Sequence, residues 1–335
     1  MSGLAKPRPR PTKSLPEGVG TSYNPRMTSS LKLGTRGSQL ALWQAHLVQG
    51  LLAPVAAPRA VELVLIETHG DRDQASALSA MGGFGVFTKA IQQALLAGRA
   101  DVAVHSLKDL PTELTAGLML VATPQRGPTG DVFVSVKHRR FDDLPDGAVV
   151  GTSSLRRRAQ VLNRRPDLKL IDLRGNVETR LRKLLEQDLD GIILAEAGLV
   201  RLGLAQHITE VLDPSWMLPA VGQGAIGLEC REDDDATRRL VEGLNDPATW
   251  QRITAERAML WTLGGGCLVP IGTTSKVSDG VLTLRGTVLS QDGHRRISAT
   301  HRGPAESPLA VGQELAAMLK DEGAMELLLR PRLPE

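Results

Sequence analysis

Leu31-Lys32-Leu33-Gly34-Thr35-Arg36-Gly37-Ser38 is a short apolar run that opens into hydroxyl and basic residues. Residues 31–34 read as a strand, and over 38–52 the apolar residues Leu40, Trp43, Leu47 and Leu51 fall at helical spacing. A strand over 61–66, a helix over 88–96 and a buried strand over 102–104 continue the series. This β-α-β-α-β order predicts a mostly parallel sheet whose chemistry clusters at the carboxyl ends of its strands. The pattern restarts after Gly127-Pro128-Thr129-Gly130, with strands at 132–136, 148–150, 168–171 and 191–194 and helices at 153–162, 177–186 and 198–204. Beyond Pro247 the order changes to a helix up to residue 263, strands at 281–288 and 297–302, and a helix at 307–320, which reads as a small α+β domain.

The composition bounds the function. Hydrophobic residues make up 41% and charged residues 23%, the balance of a soluble globular protein, and one Tyr with four Phe leaves the cores aliphatic. The net charge of +3 is misleading. Lys6, Arg8, Arg10, Lys13 and Arg26 face Glu17 alone in the first 30 residues, so the remainder sums to about −1 and does not suit a nucleic-acid binder. Residues 1–29 read as a disordered extension, since five prolines argue against an amphipathic transit helix and no apolar core of a secretory signal is present. Two cysteines give no disulfide framework and no zinc spacing, so the sequence predicts a reducing compartment and no metal.

The two cysteines differ in setting. Cys230 lies in the apolar run Ala225-Ile226-Gly227-Leu228-Glu229-Cys230, the setting of a buried, inert thiol. Cys267 lies in Leu263-Gly264-Gly265-Gly266-Cys267-Leu268-Val269-Pro270, where three glycines leave room for something large to approach the sulfur.

Four other segments carry chemistry. The turn holding Thr35, Arg36 and Ser38 offers backbone N–H groups and side-chain donors to an anion at a helix start. Gly151-Thr152-Ser153-Ser154-Leu155-Arg156-Arg157-Arg158 repeats that design in the second unit, as either a carboxylate or phosphate site or a solvated basic helix face. Asp172-Leu173-Arg174-Gly175-Asn176-Val177-Glu178-Thr179-Arg180 sets Arg174 at a strand end and Arg180 one turn into the next helix, and guanidinium forks bind carboxylates bidentately. With Arg36, Arg156, Arg157 and Arg201 these predict a polyanion cleft between the two units. Val104-His105-Ser106-Leu107-Lys108-Asp109-Leu110-Pro111 follows a buried strand, and a carboxylate among cations there suits holding a cationic intermediate and passing a proton. His105 reads equally as a satisfied polar residue of the cleft wall. Ala220-Val221-Gly222-Gln223-Gly224 lacks the dinucleotide-loop spacing and reads as a close crossing between domains.

Together, in this order, these segments resemble the porphobilinogen deaminase (hydroxymethylbilane synthase) family from about residue 31 into the C-terminal domain. The resemblance implies two periplasmic-binding-protein-like α/β domains flanking a cleft, plus a small C-terminal α+β domain. The expected division is 30–126 with 225–243, 127–224, and 244–335 as the cofactor-attachment domain. It implies a transferase that deaminates four porphobilinogen molecules and joins them into a linear tetrapyrrole. Cys267 would carry a dipyrromethane primer through a thioether, and Asp109 would be the catalytic carboxylate. Lys108, Ser106, Arg156, Arg157, Thr152, Ser153, Ser154, Arg174 and Gly175 would hold the cofactor. Arg36, Ser38, Arg180, Arg201 and Gln223 would hold the substrate, whose acetate and propionate add negative charge with every unit. Phe84 and Phe87 fall in a segment resembling the family's lid, with Phe84 where a lysine is common and Ala90 where an acid is usual. A cytoplasmic monomer without membrane or nucleic-acid partners is the implied setting. The alternatives are a solute-binding module with the same two-lobed cleft, which needs neither Cys267 nor Asp109, and a DNA-binding effector domain, for which no helix-turn-helix segment is present.

Overall fold

The protein's computed structural model describes residues 30–67, 88–265 and 269–329. The expectations for residues 1–29, Phe84, Phe87 and Cys267 lie outside the described residues.

The first sheet has the order β2-β1-β3-β10-β4. Its strands are β1 (Leu31–Thr35), β2 (Val61–Leu65), β3 (Val102–Ser106), β4 (Leu118–Ala122) and β10 (Ile226–Arg231). Helices α1 (Gln39–Ala56) and α2 (Lys89–Leu96) connect its parallel strands. The second sheet, β7-β6-β8-β5-β9, repeats the plan with β5 (Asp131–Val134), β6 (Val149–Gly151), β7 (Lys169–Ile171), β8 (Gly191–Ala195) and β9 (Glu210–Val211). Its helices are α3 (Leu155–Arg164), α4 (Val177–Glu186) and α5 (Glu196–Arg201).

β5 and β10 occupy equivalent places in the two sheets. Each is antiparallel to both neighbours and enters directly after a crossing from the other sheet. The mostly parallel sheet expected from sequence therefore has one reversed strand, because a chain arriving from the other lobe enters from the opposite end. The two crossings touch: the Gly127 N–H donates to the Gly224 carbonyl at 3.1 Å. Gly224 has φ +82°, and a Cβ there would lie 2.5 Å from the Pro128 carbonyl oxygen, so only glycine fits.

The buried face of α1 differs from the spacing that revealed it. Ala45, Val48, Leu52 and Ala56 are buried, whereas Trp43, Leu47 and Leu51 are 38%, 38% and 40% exposed. The helix begins as the sequence predicts, with Ser38 Oγ accepting from the Ala41 N–H at 3.4 Å.

After α6 (Asp235–Glu242), α7 (Pro247–Thr262) leads into the antiparallel meander β11 (Ile271–Ser278), β12 (Val281–Leu289) and β13 (Arg296–Pro304), then α8 (Pro308–Asp321) and α9 (Ala324–Leu329). Met259, Leu282, Leu284, Val288, Leu315 and Leu319 form one core between these helices and this sheet. Among the described residues, no helix is long and apolar enough to cross a membrane.

Candidate active site

In the first lobe the carboxyl ends of β1 and β3 meet the starts of α1 and α2. Arg36, Ser38, Gln44, Thr88, His105, Ser106 and Asp109 line one pocket there. Gln44 fixes Ser106 through its amide, with Nε2 3.0 Å and Oε1 3.2 Å from the hydroxyl. Asp109 ends a single 3₁₀ turn, Leu107–Asp109, closed by the Leu110 N–H on the Leu107 carbonyl at 3.1 Å. Arg257 of α7 donates to the Leu110 and Pro111 carbonyls at 3.1 and 2.7 Å, so the C-terminal domain grips the segment just after Asp109. Behind the pocket, His105 Nε2 lies 2.8 Å from Glu229 Oε2 without hydrogen-bond alignment. The Gln92 amide donates to both oxygens of the buried Glu229.

In the second lobe β6 runs into Thr152, Ser153 and Ser154. Ser154 caps α3 by accepting from the Arg157 N–H at 3.4 Å, and Ser153 Oγ donates to the Leu173 carbonyl at 3.0 Å. Thr152 is buried and its Oγ1 accepts from the Ser154 N–H at 3.3 Å. Arg156 and Arg157 do not lie on a solvated helix face: both are buried against Asp131. Arg156 Nη1 reaches Asp131 Oδ2 at 2.5 Å, while Arg157 Nε and Nη2 reach Oδ1 at 3.1 and 2.7 Å. Gln223, from the second crossing, donates to the same Oδ1 at 3.0 Å. Burial alone would raise the Asp131 carboxyl, but the two guanidiniums outweigh it and hold it well below the usual carboxylate range.

The lobes meet electrostatically at Lys108 and Arg180. Burial lowers the Lys108 amine to about 8, with Asp109 and Asp131 opposing and Arg157 and Arg156 reinforcing the shift. Burial likewise lowers Arg180 to about 10, helped by Arg157 and Arg174 and opposed by Asp109. Arg180 Nε donates to the Gly175 carbonyl at 2.9 Å, and Gly175 itself sits at φ +117°. Asp109 thus faces cations from both lobes. Arg201 stands apart at the crossing, donating to the Gly224 carbonyl at 2.7 Å with its guanidinium 5.4 Å from the Trp43 ring centroid. Arg36 and Ser38 lie with Asp109 in the first-lobe pocket.

Sequence reasoning did not single out Asp131, Gln44 or Arg257. Asp131 alone left a trace, an acid opening the apolar run Asp131-Val132-Phe133-Val134, but its partners lie 25, 26 and 92 residues away.

Comparison with known proteins decides the family. Residues 31–239 match the model of the porphobilinogen deaminase dipyromethane cofactor binding domain, and residues 250–321 that of the porphobilinogen deaminase C-terminal domain. The chain belongs to the porphobilinogen deaminase family. Porphobilinogen deaminase of Geobacter metallireducens is 48% identical over 89% of this chain and 93% of its own length. That of Syntrophotalea carbinolica is 48% identical over 90% and 96%. Among solved structures, the methionine-binding protein MetQ overlaps 66% of this chain and 90% of its own at 16% identity and a TM-score of 0.42. The Bordetella pertussis BvgS VFT2 domain overlaps 65% and 85% at 15% identity and 0.38.

As a family member the protein is a transferase of tetrapyrrole biosynthesis that deaminates porphobilinogen and links four molecules into linear hydroxymethylbilane. Its cofactor is dipyrromethane. The donor set fits such a group: Lys108 and Arg180 are half-buried cations whose charge is disfavoured by partial loss of solvent and by neighbouring guanidiniums, and incoming carboxylates would relieve that.

Proposed function

We propose that Asp109 is the catalytic carboxylate of this reaction and that the cleft on either side of it divides the binding work. The observation that carries the reading is the position of Asp109: it shares a pocket with Arg36, Ser38 and Ser106 and interacts electrostatically with Lys108 and Arg180. Its carboxyl delivers a proton to the substrate's departing amine as the carbon–nitrogen bond breaks. As carboxylate it then faces the positive charge left on the pyrrole.

When bound, dipyrromethane supplies the primer to which the first substrate unit is joined. Cys267 holds it through a thioether. Lys108, Ser106, Thr152, Ser153, Ser154, Arg156, Arg157, Arg174 and the Gly175 backbone meet its carboxylates. Arg36, Ser38, Arg180 and Arg201 bind the acetate and propionate of the substrate, while Gln223, its amide donated to Thr129, Gly130 and Asp131, acts through the Arg156–Arg157 pair instead. The near-neutral body outside residues 1–30 supports a small-molecule rather than nucleic-acid partner, and the reading places the enzyme in the cytoplasm as a monomer.

Asp109→Asn tests the assignment, because it keeps the side chain's shape and removes both the charge and the transferable proton. Circular dichroism is expected to stay unchanged while turnover falls about 100-fold or more. Turnover equal to the parent's would remove Asp109 from this role.

A further inference from the structure

Arg156 and Arg157 are neighbours on α3, both buried, yet each of their guanidiniums reaches the same carboxylate. Two cations share one anion, so the cluster carries an excess positive charge inside the protein. Arg156 Nη1 also donates to the Leu218 carbonyl at 2.6 Å, and Arg157 Nη1 to the Ile193 carbonyl at 2.9 Å. Gln223 completes the arrangement, its Nε2 reaching the carbonyls of Thr129 and Gly130 at 2.8 and 3.1 Å as well as Asp131 Oδ1. Asp131 therefore joins α3, the start of β5 and both crossings at one point.

We propose that Asp131 is a positioning residue, a built-in counter-ion that takes the place of a ligand carboxylate between Arg156 and Arg157. It keeps the pair charged and oriented before the pyrrole carboxylates arrive. The inference rests on the reading of the cleft as a polycarboxylate site. The physical reason is the cost of placing two guanidiniums side by side away from water. An isolated buried charge is strongly disfavoured, and paired, hydrogen-bonded charges are tolerated. Asp131 supplies that pairing, and its Oδ1, accepting from both Nε and Nη2 of Arg157, fixes the direction of the fork. The aspartate carries one charge against two, which leaves positive potential for the incoming polyanion.

The test uses the full chain carrying Cys267→Ser, so that no primer fills the cleft, with and without Asp131→Asn. Melting temperature is followed in dilute buffer, in citrate, and in sodium chloride of equal ionic strength. Asp131→Asn is expected to melt several degrees lower in dilute buffer, with citrate recovering most of the loss and chloride little of it. The parent should gain less from citrate than Asp131→Asn does, and little from chloride. An equal loss in all three solutions, or no loss, would show that Asp131 has no counter-ion role.

If Asp131→Asn alone does not fold, adding Arg157→Gln returns the cluster to the parent's net charge and is expected to restore a soluble, cooperatively melting protein. Absence of that rescue also counts against the proposal. Arg180→Gln, outside the contacts of Asp131, keeps the two readings apart. A several-fold rise in KM for porphobilinogen there, beside a citrate-indifferent Asp131→Asn, overturns the counter-ion role alone. An unchanged KM overturns the cleft reading itself.

Discussion

Glu256→Gln probes how firmly the C-terminal domain is tied to the crossings between the lobes. Glu256, on α7, is 1% exposed. Its Oε1 accepts from Arg126 Nη1 at 2.7 Å and Ser275 Oγ at 2.5 Å, and its Oε2 from Arg126 Nη2 at 3.0 Å and the Gly222 N–H at 2.9 Å. Arg126 Nε reaches the Gln223 carbonyl at 2.8 Å. One carboxylate therefore joins the first crossing, the second crossing and β11. Burial would raise the Glu256 carboxyl, yet Arg126 prevails and holds it below its ordinary value. Glutamine preserves the shape and one acceptor oxygen but leaves the Arg126 guanidinium, 3% exposed, facing a neutral amide.

Removing one partner of a buried pair costs about 3–5 kcal/mol. At about 2–4 °C per kcal/mol for domains of this size, the melting temperature should fall by about 6–20 °C in scanning calorimetry. Replacing both Arg126 and Glu256 by methionine is expected to recover only part of the loss, since an apolar pair leaves no uncompensated charge but orphans the Gly222 N–H and the Ser275 hydroxyl. A drop below about 2 °C in Glu256→Gln would refute the reasoning, because it would mean that desolvation already cancels what the pair contributes.

Further outcomes follow from the cleft. Lys108, lowered by burial from 10.5 to about 8, contributes its charge to carboxylate binding below that pH and loses it above. Assembly of the primer on apoprotein incubated with porphobilinogen, followed by intact mass, should then slow by up to about tenfold per pH unit above 8. Lys108→Arg, which stays charged, should abolish the inflection. Between about 8 and 10.5 the unfolded chain binds the extra proton, so stability should rise with pH over that window, measurable by urea unfolding. Gly175→Ala forces a side chain into φ +117° and brings its Cβ to 2.5 Å from Thr179 Cγ2. A destabilisation of about 1–3 kcal/mol is expected, with a raised KM because Arg174 and Arg180 flank the distorted turn; an unchanged melting curve would contradict it.

What the sequence reveals here is local. The strands ending in Thr35, Ser106 and Gly151 are short apolar runs that break into hydroxyl and charged residues, and each lies where its pattern places it. The helix 177–186 lies where its pattern places it, and Asn176 Oδ1 caps it by accepting from the Thr179 N–H at 2.8 Å. β10 is different: Ile226–Arg231 pairs with strands more than 100 residues earlier, and nothing in its own pattern specifies an antiparallel insertion. The same limit applies to the site. Clustered arginines suggest a polyanion cleft, but that Arg156 and Arg157 lie buried on Asp131 depends on a strand from outside their own helix. The helical spacing of Trp43, Leu47 and Leu51 marks a helix without revealing that these side chains stay partly exposed while Val48 and Leu52 enter the core.

The most direct measurement is the intact mass of the purified protein beside its Cys267→Ser variant. The account predicts an excess equal to two deaminated porphobilinogen units in the parent and none in the variant, because the primer is carried on that thiol. A bare mass in both, unchanged after incubation with porphobilinogen, would contradict it.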